Sequence, residues 1–145
     1  MRKPKLPLGS PEDTEHAFYD ALQHADIERL MACWSDEDDI VCIQPGGPRL
    51  VGHAAVRAGF EALFSNGSVQ AHPEKVRRLD AGQCSVHSVV ERVDVMSDDG
   101  MQHAWVVATN VYAKTAQGWR MVAHHASPGI RTEPVEVLAV QPILH

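Results

Sequence analysis

Apolar positions recur every third or fourth residue through the first part of the chain and close to every second residue beyond it. The first spacing predicts helices and the second predicts strands. Ser10-Pro11-Glu12-Asp13 opens the first helix: Ser10 suits the N-cap, Pro11 the first turn, and two acids the positive end of the dipole. Phe18, Ala21, Leu22 and Ala25 form its apolar stripe, and Asp26 caps a second segment that buries Ile27, Leu30, Met31 and Trp34. A third helix is predicted from Gly52 to Phe64, with Ala55, Val56, Phe60, Leu63 and Phe64 inward and Ser65-Asn66-Gly67 as its stop.

Between the second and third helices, the short apolar run Ile40 to Ile43 enters Gln44-Pro45-Gly46-Gly47-Pro48. Prolines fix φ there and glycines allow a sharp reversal, so a strand is expected to turn directly into the third helix. Val69–Leu79, Cys84–Met96, Met101–Lys114 and Trp119–His125 read as strands. Asp98-Asp99-Gly100 and Ala116-Gln117-Gly118 are hairpin turns between them. Helices first and hairpin-linked strands afterwards give an α+β fold, a curved antiparallel sheet with helices on one face and a space between. Residues 1–10 are expected to be disordered, 11–130 to form one domain, and 131–145 to be a tail. With Val135, Val137 and Ala139 apolar in alternation, that tail is an edge strand or a dimer contact.

Composition narrows the partners. A chain of 145 residues with net charge −6 and scattered lysines and arginines carries no nucleic-acid footprint. No apolar run approaches a membrane span, and nothing after Met1 resembles a signal peptide, which points to a cytoplasmic protein. Cys33, Cys42 and Cys84 lack C-x-x-C spacing and read as reduced, buried thiols. The run Asp36-Glu37-Asp38-Asp39 reads as a solvated turn, and its spacing does not match a calcium loop. No metal and no cofactor are expected.

Several segments together carry a family resemblance. They are Ala25-Asp26-Ile27-Glu28 with Trp34, the strand-Pro-Gly-Gly-Pro segment, Gly52-His53-Ala54-Ala55-Val56-Arg57 with Phe60, and Gly118-Trp119-Arg120-Met121-Val122-Ala123-His124-His125-Ala126-Ser127-Pro128. Spread from about Glu12 to Pro128, they resemble the SnoaL-like branch of the nuclear transport factor 2-like superfamily, the cone-shaped fold shared with ketosteroid isomerase. The closing motif is also similar to the end of the association domain of calcium/calmodulin-dependent protein kinase type II. The resemblance implies three N-terminal helices on a strongly curved, mostly antiparallel sheet enclosing a pocket, and a homodimer formed through the sheet face.

The resemblance also weighs the chemistry. Ketosteroid isomerase keeps a carboxylate base at the end of the first strand and a tyrosine on the first helix. Here those positions fall on Gln44 and Phe18, with Tyr19 beside the latter on a different face. An amide is not basic near neutral pH and a phenyl ring cannot donate to an oxyanion, so isomerase chemistry of that type is not expected. His124 and His125 are neighbours on one strand and point to opposite faces. The resemblance favours His125, in a His-x-Ser arrangement with Ser127, as a general base if the protein is a catalyst. Asn110 falls where the kinase association domain has a pocket arginine, which implies a neutral ligand. Gln44, Asn110, Tyr112, Phe18, Trp34, Phe60 and Glu91 are therefore the candidate ligand-binding residues, with Trp34, Phe60 and Trp105 expected in the core. The rival reading is a non-catalytic association module.

Overall fold

The computed structural model describes residues 8–139. Three helices precede most of the sheet: α1 (Pro11–His24), α2 (Ile27–Ala32) and, after the short strands β1 (Val41–Ile43) and β2 (Arg49–Val51), α3 (His53–Phe64). Four longer strands follow: β3 (Gln70–Ala81), β4 (Cys84–Ser97), β5 (Gly100–Thr115) and β6 (Gly118–Ala126). The fold is α+β, a six-stranded sheet in the order β2-β1-β6-β5-β4-β3. All neighbours are antiparallel except β1 and β6.

Local chemistry sets these boundaries. The Ser10 side chain accepts from Asp13 N–H at 3.1 Å, and Asp26 does the same for Arg29 at 3.1 Å. Each satisfies an orphan donor of the first helical turn. Strands β3, β4 and β5 run 12, 14 and 16 residues, long enough to coil around the helices. Bulges at Pro73/Lys75 and Val111/Tyr112 add local bend.

The proline-glycine corner differs from expectation. It does not deliver β1 straight into α3. Instead, Gly47 N–H donates to the Gln44 carbonyl at 2.8 Å and Gly46 takes φ 71°, a reversal that lays β2 antiparallel on β1 before α3 begins. Such a reversal lets β2 take up the otherwise bare edge of β1. On α3, Gly59 is where the helix meets that hairpin: a Cβ there would lie 2.4 Å from Leu50 Cδ1 and 3.7 Å from Gln44 Nε2. A side chain at 59 would have to displace the Leu50 side chain.

The core lies between the helices and the inner face of the sheet. Phe18, Trp34 and Phe60 meet there with ring centroids 6.1–6.4 Å apart, two of the three pairs edge to face. Trp34 and Phe60 are buried as expected. Trp105 is not in this core: it is half-buried, and its backbone exchanges hydrogen bonds with Ile130 at 2.7 and 2.9 Å. It sits at an odd position of β5, where inner-facing residues are even-numbered. Cys33 and Cys42 are buried and burial pushes both thiols up to about 12; Cys84 is half-buried. The acidic run 36–39 is exposed.

Residues 131–139 form no strand. They lie near β3, where Glu133 pairs with Lys75 at 3.1 Å and Glu136 with Arg77 at 2.6 Å. The remainder of the expected tail strand falls outside the described residues.

Candidate functional site: an apolar cavity backed by a buried polar network

Alternation along the sheet decides which side chains face inward. On β4 these are Ser85, His87, Val89 and Glu91, all buried; on β5 they are Val106, Ala108, Asn110 and Tyr112. Helix α1 crosses this face and contributes Glu15, Phe18, Tyr19 and Leu22, a stripe at three- and four-residue spacing. The result is a surface with two ends of different character.

At the wide end is a cavity of about 300 Å³. Its wall is mostly apolar: Phe18, Leu22, Phe60, Leu63, Val69, Val93 and Val106 among others, with Pro45 beside them. Among the described residues only Gln44, Glu91 and His124 bring polar side chains to it. Gln44 Nε2 is buried and finds no acceptor among the described residues. An unpaired buried amide is costly, and a bound ligand's oxygen would satisfy it.

The narrow end is closed and polar. Glu15 Oε2 accepts from the Tyr112 hydroxyl at 2.7 Å, faces His87 Nδ1 at 2.9 Å, and accepts a longer bond from Asn110 Nδ2 at 3.4 Å. Asn110 Nδ2 also donates to the Tyr19 oxygen at 3.0 Å, and the Tyr19 hydroxyl donates to Glu91 Oε2 at 2.6 Å. Asn110 Oδ1 faces His124 Nδ1 at 2.5 Å. All seven residues are at most 7% exposed. One hydrogen-bonded network thus runs from beneath α1 to both titratable groups of the cavity. Its outer limit is His87, whose Nε2 has no hydrogen-bond partner among the described residues and lies 3.7 Å from Glu12 Oε2.

Burial shapes the acid–base properties of these groups. Glu91 is raised from 4.5 to about 7, chiefly by burial; the Tyr19 hydrogen bond opposes that and the nearby charge of Glu15 adds to it. His124 is lowered to about 4, again chiefly by burial, with His125 as a second cause. Tyr19 and Tyr112 are both held well above the usual phenol range by burial.

Among the residues expected from sequence, Gln44, Phe18, Phe60 and Glu91 line the cavity. Asn110 and Tyr112 stand behind it as network members, and Trp34 packs in the core without reaching the cavity lining. His125 is placed elsewhere: it is exposed on the outer face of β6, and its neighbour His124 turns inward. Strand alternation requires one of the pair to point out, and the register Cys42↔His124 puts His124 on the same side as buried Cys42. Sequence reasoning missed Glu15 and did not assign Tyr19 or His87 to the site. The first two occupy the buried face of α1, and His87 alternates with Val89, so polar residues at core positions were the available signal. Among the described residues no group of three or more His, Cys, Asp and Glu side chains is arranged to hold a metal ion.

A helix-covered, curved sheet that closes over a cavity defines the class as a cone-shaped α+β fold. The family model of the SnoaL-like domain matches residues 12–131, and the chain belongs to that family. No curated protein sequence matches it. Among solved structures, a protein from Thiobacillus denitrificans, named provisionally as a calcium/calmodulin-dependent protein kinase type II association domain, is 35% identical. That match covers 87% of this chain and 98% of the other, with a TM-score of 0.76. A protein of the NTF2-like family from Streptomyces avermitilis, named provisionally as a dehydratase, is 28% identical over 79% of this chain and 90% of its own, with a TM-score of 0.71. The kinase hub from S. rosetta, 20% identical over 88% of this chain and all of its own with a TM-score of 0.67, shares the fold.

Proposed function

We propose that this SnoaL-like protein binds a small, neutral, largely apolar molecule in the cavity, with Phe18 and Phe60 against its body and Gln44 on its oxygen. The buried, unpaired Gln44 amide within an apolar wall carries this reading. Among the described residues no lysine or arginine lines the cavity, which disfavours an anionic ligand. Ketosteroid-isomerase-type catalysis stays unsupported at the Gln44 position, because the amide there cannot take a proton. A cytoplasmic location is part of this proposal and rests on the sequence reading; separately, no described helix is long and apolar enough to cross a membrane.

Thermal unfolding with neutral phenylalkyl probes tests the reading. Butylbenzene and 4-phenylbutan-2-one are expected to raise the melting temperature, since a ligand at one hundred times its Kd adds about 2.7 kcal/mol to folded-state stability. The anion 4-phenylbutanoate should not, and Val93→Phe, which fills the cavity, should abolish the shifts. A chain indifferent to all neutral probes sinks the proposal.

A second reading is association, favoured by the 35% identity to the protein named as an association domain and by the sheet's outer face. Directly paired residues share a face, so Leu79, Val86 and Val111 form one outward row, and Val90 and Val107 another. Leu79 is 67% exposed and Val107 39%. On the neighbouring tail, Glu133 and Glu136 turn to Lys75 and Arg77, and Val135 and Val137 remain 88% and 79% exposed. Such a surface suits a second copy of the chain, giving a homodimer through the sheet face. Light scattering is expected to return the dimer mass, and a monomer mass across micromolar concentrations refutes it.

A further inference from the structure

Hydrogen-bond direction in the network can be followed from its one fixed acceptor. Glu15 Oε2 faces the Asn110 carboxamide, and a carboxylate oxygen is matched by the amide nitrogen rather than its oxygen. That orientation turns Asn110 Oδ1 toward β6, where it meets His124 Nδ1. An amide oxygen only accepts, so His124 carries its proton on Nδ1 and presents Nε2 as a bare lone pair. His124 lines the cavity, and its Nε2 makes no hydrogen bond to a described residue. The cavity therefore offers an acceptor on β6, a buried ring held neutral by its surroundings.

A donor waits beside it. Cys42 is level with His124 on adjacent parallel strands, so Gln44, two residues further along, shares the inner face. Its Nε2 is a buried donor without an acceptor among the described residues, and Gln44 lines the cavity. With a rise of about 3.3 Å per residue and strands about 4.8 Å apart, the two residues' backbones stand on the order of 8 Å apart diagonally. Side chains converging from those positions suit two oxygens of one molecule separated by a few bonds.

Building on the small-molecule reading, we propose that the cavity selects an uncharged β-hydroxy ketone on an apolar body, its hydroxyl donating to His124 Nε2 and its carbonyl oxygen accepting from Gln44 Nε2. Asn110 is the positioning residue that holds the imidazole in the required tautomer. A primary ammonium group offers Gln44 no acceptor, and a carboxylate offers His124 no proton, so both charged classes are rejected by this pairing.

The test uses the full-length chain and a matched series: 4-hydroxy-4-phenylbutan-2-one, 4-phenylbutan-2-one without the hydroxyl, and 4-phenylbutan-2-ol without the carbonyl. Calorimetry is expected to show the hydroxy ketone binding about tenfold more tightly than either partial analogue, the value of one buried hydrogen bond. Nitrogen-15 spectra should assign the Nδ1–H tautomer to His124, with the Nε2 resonance moving when the hydroxy ketone binds and staying when the ketone does. His124→Leu should erase only the preference for the hydroxyl, and Gln44→Leu only that for the carbonyl. Asn110→Ala should mix the tautomers and lower the hydroxyl preference while leaving ketone affinity unchanged, whereas a merely structural loss weakens every probe alike. Equal affinities across the series, or an Nε2–H tautomer, overturn the selection and leave cavity binding standing. Failure of every probe, butylbenzene included, overturns both.

Discussion

The two ends of the inner sheet face solve burial in opposite ways. At the narrow end, Glu15, His87, Asn110, Tyr112 and Tyr19 bond to one another at 2.7–3.4 Å, and only His87 Nε2, at the outer limit, finds no partner among the described residues. At the wide end, Phe18, Phe60, Val93 and Val106 surround the cavity, and the buried Gln44 amide nitrogen has no partner among the described residues. A satisfied network serves folding and gives a ligand nothing to do. An unsatisfied group beside a cavity gives folding nothing and a ligand a reason to bind. Glu91 and His124 straddle the boundary, each fastened to the network and each lining the cavity. The polar residues of one face thus divide into structural and recognition groups by whether their partners are already present.

Breaking the closed end should have the largest effect. Glu15→Ala removes the common acceptor of Tyr112, His87 and Asn110 and leaves three buried donors facing a void. Removing one side of a buried polar cluster costs about 3–5 kcal/mol, to be read from urea unfolding. A loss below about 1 kcal/mol would show that the narrow end is wetter or looser than its geometry implies.

At the boundary the effect changes sign and depends on pH. Glu91 has a folded-state value of about 7 against an ordinary 4.5, so the folded chain holds this proton more tightly than the unfolded one. Its contribution is fully present below pH 4.5 and is lost as pH rises through 7. His124 runs the other way, with about 4 against 6.5, so its contribution is present above pH 6.5 and lost as pH falls through 4. Between pH 4.5 and 6.5 the two slopes oppose each other and the pair leaves stability nearly flat. Glu91→Gln keeps an acceptor for Tyr19 and deletes one slope. The variant is expected to be more stable than the parent by about 3 kcal/mol at pH 8, with the gain vanishing near pH 4.5. Equal stability of the two proteins at pH 8 would remove the claim that Glu91 is a strained carboxyl.

Much of this contrast was visible in the sequence as periodicity. The helix of α1, the long strands and their Gly100 and Gly118 turns follow from spacing and turn chemistry alone, and so does the shared strand face of Asn110 and Tyr112. The short strand β2 did not follow: three residues with one half-buried leucine carry no alternation to detect, and only pairing with β1 makes them a strand. The network was hidden for a different reason. Glu15 and Tyr19 look like solvent-facing residues on a helix until β4 and β5 supply partners from 72 to 97 positions away. Local propensity cannot register a stabilisation that exists only between distant segments. The adjacent histidines posed a parity problem, since alternation says that they diverge but not which one turns inward. That sense is set by the parallel register of β1 on β6, a tertiary fact.

The smallest effect sharpens the comparison most cleanly, because it contrasts two neighbours of identical chemistry. His125 is exposed, and its register partners are Ile43 on β1 and Thr109 on β5. An exposed side chain free of buried contacts contributes within about 0.5 kcal/mol, so His125→Ala should leave urea stability within that range. Removing it also takes away a secondary cause of the depressed His124 value, and the His124 titration should move upward slightly while staying well below 6.5, because burial is the larger cause. Affinity for 4-phenylbutan-2-one should be unchanged, since the residue does not line the cavity. A His125→Ala variant that lost ketone binding while remaining folded would reverse the inside and outside of β6, and with it the division of the sheet into a recognition end and a structural end.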